Sequence, residues 1–176
     1  MDLYWKKIKE EKYRAGYRKL IKKSFVLPSG VEMDYDLLDD GNDLAILALT
    51  PENKVILSKV FRPGPELVLS EMPAGMLKVD EDKIKKAEDE LLEETGYKGK
   101  IEFAGTAVHD AYSSKIRHVF IAKNCIKVSE PRTTEEDEKF VEIIEMSLED
   151  FRKHLRSGQL TDVESGYLAL DYLGLL

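Results

Sequence analysis

Three glutamates, Glu90, Glu93 and Glu94, stand at i, i+3 and i+4 in a segment that reads as a helix. Their carboxylates therefore leave one helical face together. Like charges at this spacing destabilise a helix by some tenths of a kcal/mol per pair, a cost that a bound cation offsets. Carboxylate oxygens with room for water suit Mg2+ or Mn2+ better than zinc. The same triplet would also serve as a solvated acidic face, so the spacing alone leaves both readings open.

The surroundings of the triplet narrow the choice. The run from Glu71 reads EMPAGMLKVDEDKIKKAEDELLEETGY, with Gly75 six positions before Glu81 and Glu90 nine further on. Gly75, Glu81, Glu90, Leu91, Glu93, Glu94, Gly96 and Tyr97 resemble the signature box of the Nudix hydrolases. Six of these are polar or glycine positions, and at a chance match of about one in ten each, they would coincide roughly once in a million registers. One position departs: the arginine of the box is Asp89 here, which adds an acid to a stretch already holding Glu88, Glu90, Glu93 and Glu94. Extra ligand charge favours a metal, whereas a ligand displaced by about 1 Å can cost catalysis 100-fold.

The resemblance continues outside the box. Leu27-Pro28-Ser29-Gly30, Phe61-Arg62-Pro63 and Glu71-Met72-Pro73-Ala74-Gly75 are similar to the ADP-ribose pyrophosphatase branch of that family. It implies that Ala74, through its backbone carbonyl, and Glu90 and Glu94 ligate the metal, with Glu93 an additional ligand or an orienter of water. It further implies Arg62 and Glu71 as substrate contacts; an arginine fork suits a pyrophosphate because it bonds two oxygens at once. Trp5 would stack on a purine from across a homodimer, or pack in the interface. The catalytic base would be Glu138 if Lys139 is an insertion, with Glu136 next. The branch usually carries a proline some sixteen residues beyond the box, and His109–Lys115 has none, which opens the substrate to other nucleoside diphosphate sugars.

The elements that must position these residues follow from pattern. The key helix spans Asp82 to Thr95 and ends at Gly96, with Ile84, Ala87, Leu91 and Thr95 as its apolar stripe. Leu20–Leu27 and Val31–Leu38 read as strands around a Pro-Ser-Gly turn, and Leu44–Leu49 and Val55–Phe61 as a hairpin. Leu67–Met72 is short and extended, and Ile101–Val108, Arg117–Ala122 and Phe140–Met146 are further strands. Residues 1–19 carry no strand pattern, and 130–138 read as an acidic loop. Ser147 caps one late helix, closed by Gly158, and Asp162 caps a last one. This is an α+β chain. The resemblance specifies a Nudix fold, mixed β-sheets sandwiched between helices, with residues 1–42 a dimer-forming β extension and 43–176 the hydrolase domain.

Composition sets outer bounds. The chain has 176 residues, 43% hydrophobic, enough for one core, and a net charge of −7. Such an acidic chain is a poor binder of nucleic acid. Residues 1–27 are nonetheless basic, with nine Lys/Arg against three Asp/Glu. A single cysteine, Cys125, excludes an intramolecular disulfide and reads as buried packing. No stretch resembles a signal peptide or a membrane span, so a cytoplasmic protein is expected.

Together these readings predict Mg2+-dependent hydrolysis (Mn2+ being possible) of the pyrophosphate in ADP-ribose or a related nucleotide sugar by a homodimer. Two alternatives stay open: a nucleotide-binding module that turns over poorly because of Asp89, and a hydrolase of dinucleoside polyphosphates or nucleoside triphosphates.

Overall fold

The computed structural model describes residues 3–132 and 141–176. In chain order its elements are β1 (Lys6–Ala15), β2 (Arg18–Val26), β3 (Glu32–Leu38), β4 (Asp43–Leu49), β5 (Val55–Arg62), β6 (Leu67–Glu71), β7 (Ala74–Met76), α1 (Lys83–Thr95), β8 (Tyr97–Val108), β9 (Ile116–Lys127), β10 (Glu142–Met146), α2 (Leu148–Ser157) and α3 (Val163–Tyr172). They form two compact units: Met1–Asn42 with Val108–Ile116, and Asp43–Ala107 with Arg117–Leu176.

The first unit holds an antiparallel sheet in the order β1-β2-β3. The β2–β3 hairpin matches the expected pair, and its turn closes with the Gly30 amide donating to the Leu27 carbonyl at 2.9 Å. Strand β1 corrects the reading of residues 1–19 as patternless. All ten of its residues are exposed, so no core-facing alternation marks it in the sequence. Its pairing runs from Lys6↔Val26 to Ala15↔Arg18, and Tyr13 Oη donates to Asp36 Oδ1 at 2.7 Å.

The second unit is built around β4, whose seven residues are all buried. Its sheet runs β10-β5-β4-β9-β8, with β6 on β5 and β7 on β4. β4 is antiparallel to β5 and β7 but parallel to β9, where Asp43 faces Arg117 and Ala48 faces Ala122. Alternation along β4 sends its side chains to two layers. Leu44, Ile46 and Ala48 pack with Ala87 and Leu91 of α1, while Ala45, Leu47 and Leu49 pack with Phe151 and Leu155 of α2 and Ala169 and Leu170 of α3. Each large side chain so buried contributes about 1.5–3 kcal/mol. The mixed sheet thus lies between α1 and the α2–α3 pair, as the sequence predicts.

The helix ends follow capping chemistry. Asp82 accepts the amides of Ile84 and Lys85 at the start of α1, Ser147 accepts that of Asp150 at the start of α2, and Gly96 and Gly158 close them in the left-handed conformation. Two expectations are corrected. Ile84 is 49% exposed, because it lies in the first turn of α1, before the helix reaches the sheet. Asp162 precedes α3 but makes no side-chain cap bond; its carboxylate turns inward and is buried. Cys125 lies in β9, buried as expected, and its thiol is free. No helix among the described residues is long and apolar enough to cross a membrane.

Candidate active site

The box residues meet where β7 passes beside α1. β7 is anchored to the central strand, with Ala45 opposite Ala74 and Leu44 opposite Gly75, and the Ile46 amide donates to the Pro73 carbonyl at 2.8 Å. Across this two-residue step lie both outer glutamates of α1. The Ala74 amide donates to Glu94 Oε2 at 3.1 Å. The Glu90 carboxylate rests directly on Gly75, where any Cβ would overlap it. Gly75 is therefore required by close approach, not by backbone angle. Glu81, the first acid of the box, serves the loop before the helix by accepting the Lys78 amide at 2.9 Å.

Charge compensation inside the box comes from an unexpected place. Lys86 Nζ lies 2.5 Å from Glu90 Oε1, with side chains 23% and 13% exposed. Hydrogen bonding to Glu90 raises the Lys86 pKa above its ordinary value, and the charges of Glu90, Glu81 and Glu93 add to this, against the opposing effect of burial. Asp89, the residue in the arginine position, is instead ion-paired with Lys85 on the exposed side of α1. Glu93 is exposed, and its carbonyl accepts the Arg132 amide at 2.7 Å.

Arg62, at the end of β5, is held by Glu71, at the end of β6. Both Nε, at 2.7 Å, and Nη2, at 2.5 Å, reach the same oxygen, Oε2. Burial opposes the arginine's charge, but Glu71 outweighs it, with Glu94 and Asp162 contributing at longer range. That long-range coupling ties the pair to the box. Glu71 Oε1 is buried without a hydrogen-bond partner among the described residues, as are Asp162 Oδ1 and Ser165 Oγ.

A buried polar cluster, not evident in the sequence, backs this corner. Arg117 at the start of β9 binds Asp43 at the start of β4 through Nε at 3.0 Å and Nη2 at 2.7 Å, and reaches Glu164 at 3.5 Å. Asp162 feels Arg117, Glu71 and Glu164, but desolvation dominates and pushes its carboxyl up to about 7. These partners come from four separate elements, so sequence spacing gives no hint of them. Lys86 differs, since its i, i+4 relation to Glu90 was available as a signal.

The side chains that meet β7 at this step, Glu90 and Glu94, offer oxygen donors alone. That set suits a hard divalent cation, and the missing Cβ at Gly75 gives Glu90 its place. No three His, Cys, Asp or Glu side chains among the described residues are already gathered for an ion; Glu90 and Glu94 are held by Lys86 and the Ala74 amide instead. The candidate bases Glu136 and Glu138 lie outside the described residues. Trp5 belongs to the first unit, where it packs against Phe25 and Tyr35 with ring centroids 6.0 and 5.7 Å away, and remains 45% exposed.

Comparison with known proteins gives a consistent picture. No protein-family model matches the chain. An ADP-ribose pyrophosphatase of Bacillus subtilis (strain 168) is 37% identical over 151 residues, covering 85% of this chain and 80% of that protein. A methanol dehydrogenase activator of Bacillus methanolicus is 31% identical over 151 residues, with the same coverage. A solved structure described as an ADP compounds hydrolase superposes over 100% of both chains with a TM-score of 0.79 at 16% identity, a likeness of fold. Close sequence kinship over most of a relative's length, joined to a box whose glutamates meet Ala74 and Gly75, makes this chain a Nudix hydrolase, in the branch of the ADP-ribose pyrophosphatases.

Proposed function

We propose that the protein hydrolyses the pyrophosphate bond of ADP-ribose or a related nucleoside diphosphate sugar, releasing a nucleoside monophosphate and a sugar phosphate. The observation that carries this reading is the placement of Glu90 and Glu94 against Ala74–Gly75, with the charge of Glu94 also felt at Arg62. The name of the Bacillus subtilis relative supports the substrate class.

Mg2+, or Mn2+ in its place, would be held by the Ala74 carbonyl, Glu90 and Glu94, with Glu93 in reserve. Such an ion neutralises phosphate charge and lowers the pKa of a bound water. The half-exposed Arg62 offers its guanidinium to the pyrophosphate while buried Glu71 fixes its plane. Glu138 or Glu136 takes the proton of the attacking water. Water oxygen joins one phosphorus, the bridging oxygen leaves with the other, and each product keeps a phosphate monoester. Residues 1–42 form the dimer contact in a cytoplasmic homodimer, and Trp5 stacks on the base from the partner.

Product analysis with Mg2+ and, separately, ADP-ribose, GDP-mannose and a dinucleoside polyphosphate tests the reading. AMP plus ribose 5-phosphate from ADP-ribose, abolished by chelator and by Glu90→Gln, is the expected result. Turnover of the dinucleoside polyphosphate alone would move the substrate class. Nucleotide binding with no turnover would favour a binding module, a reading that Asp89 in the arginine position keeps in play.

A further inference from the structure

The charge at position 89 is reversed relative to the family pattern, yet Glu90 is not left without a cation. Asp89 pairs outward with Lys85, at side-chain exposures of 63% and 41% for the lysine and the aspartate. Lys86 pairs inward with Glu90, and that pair is far more enclosed. We propose that Lys86 is the positioning residue for Glu90, holding its carboxylate against Gly75 in the orientation that divalent-cation binding requires. This rests on the metal-dependent reading given above.

Three observations support the assignment. First, the order of the pair is the weaker one for a helix: a lysine four residues before a glutamate stabilises α1 less than the reverse. Helix stability alone is thus a poor reason for the contact. Second, Glu90 shares its helical face with Glu93 and Glu94, one turn on, and both repel its charge. Lys86 acts against that repulsion and is itself drawn by Glu90, Glu81 and Glu93. Third, Glu90 abuts Gly75 so closely that no side chain fits between them. A carboxylate seated this tightly gains from a partner that fixes its rotamer, since partners behind metal ligands typically account for 10–100-fold in affinity.

The test uses the full chain with Lys86→Met and Lys86→Arg, and the probe is Mn2+, whose binding is followed by electron paramagnetic resonance without nucleotide. Lys86→Met is expected to weaken Mn2+ binding about 10–100-fold and to lower kcat with KM for nucleotide little changed. Lys86→Arg should retain binding. Unchanged or tighter Mn2+ binding in Lys86→Met would overturn the proposal, because the lysine would then be a bystander or a competitor of the metal. So would failure of Lys86→Arg to bind while its Tm matches the parent. A parent that binds no Mn2+ would sink the metal-dependent reading itself. In that case the Tm values of Lys86→Met, Glu90→Gln and Lys86→Met/Glu90→Gln, measured in chelator, decide: additive changes overturn Lys86 as the residue that holds Glu90, and non-additive ones uphold it.

Discussion

Glu71 grips Arg62 through one oxygen only. Nε and Nη2 of the guanidinium converge on Oε2, while Oε1 is buried with no partner among the described residues. The arginine is 47% exposed and the glutamate 3%, so the pair presents a fixed cation at the surface backed by a buried anion. Arg62→Ala is expected to raise KM for a nucleoside diphosphate sugar by about 10–150-fold, the worth of a charge-assisted hydrogen bond. Arg62→Lys should recover little, because an ammonium has no planar fork. Steady-state kinetics of the two variants check this.

Gly75→Ala separates fold from function. The added methyl meets the Glu90 side chain from Oε1 back to Cγ, so that this side chain, and not the core, must move aside. A Tm close to the parent is expected, with Mn2+ affinity lowered and turnover down roughly 100-fold, as a misplacement near 1 Å can bring about. Thermal unfolding and kinetics on the same preparation check the split; a large fall in Tm would mean the site is stiffer than this geometry implies.

Asp162 ties stability to pH. Its carboxyl is raised to about 7, mainly by desolvation. A raised acid binds its proton more tightly when folded, so its contribution is fully present below the ordinary carboxylate range near 4 and is lost as pH climbs through 7. One such group alters unfolding free energy by at most about 1.4 kcal/mol per pH unit in that window. Urea unfolding from pH 5 to 8.5 should show the parent losing stability relative to Asp162→Asn as pH rises. Parallel curves would mean that Arg117 keeps the aspartate charged throughout.

Cys125 should be silent. Burial pushes its thiol up to about 11, and a thiol that stays protonated is a poor nucleophile. Alkylation by iodoacetamide at pH 8 is expected to be negligible in the folded protein and complete in denaturant, as mass spectrometry would read.

The box was legible because its residues lie in one continuous segment, from β7 through the following loop and α1, and on the helix their spacing translates directly into a shared face. The caps at Gly96, Ser147 and Gly158 were legible for the same reason. Strand β1 was not, because periodicity marks burial and β1 has none on either face. Nor was the cluster of Asp43, Arg117 and Asp162, which the topology assembles from distant segments. Lys86 lay in plain view at i, i+4 from Glu90, but Lys85 stands in the same relation to Asp89; the packing of Ala87 and Leu91 on the sheet sets which of the two pairs is enclosed.

The parallel pairing of β4 with β9 also governs how the protein is made. β4 is the most apolar strand and the centre of its sheet, yet the neighbour that matches it from Asp43↔Arg117 to Ala48↔Ala122 is encoded more than seventy residues later. At typical synthesis rates of 5–20 residues per second, β4 leaves the ribosome about 4–15 s before β9 does. Through that interval Leu44–Leu49, buried throughout in the folded chain, has β5 and β7 to pair with but lacks β9. Early folding must then rest on the local β4–β5 hairpin, and the nascent chain is at its stickiest before residue 117 appears.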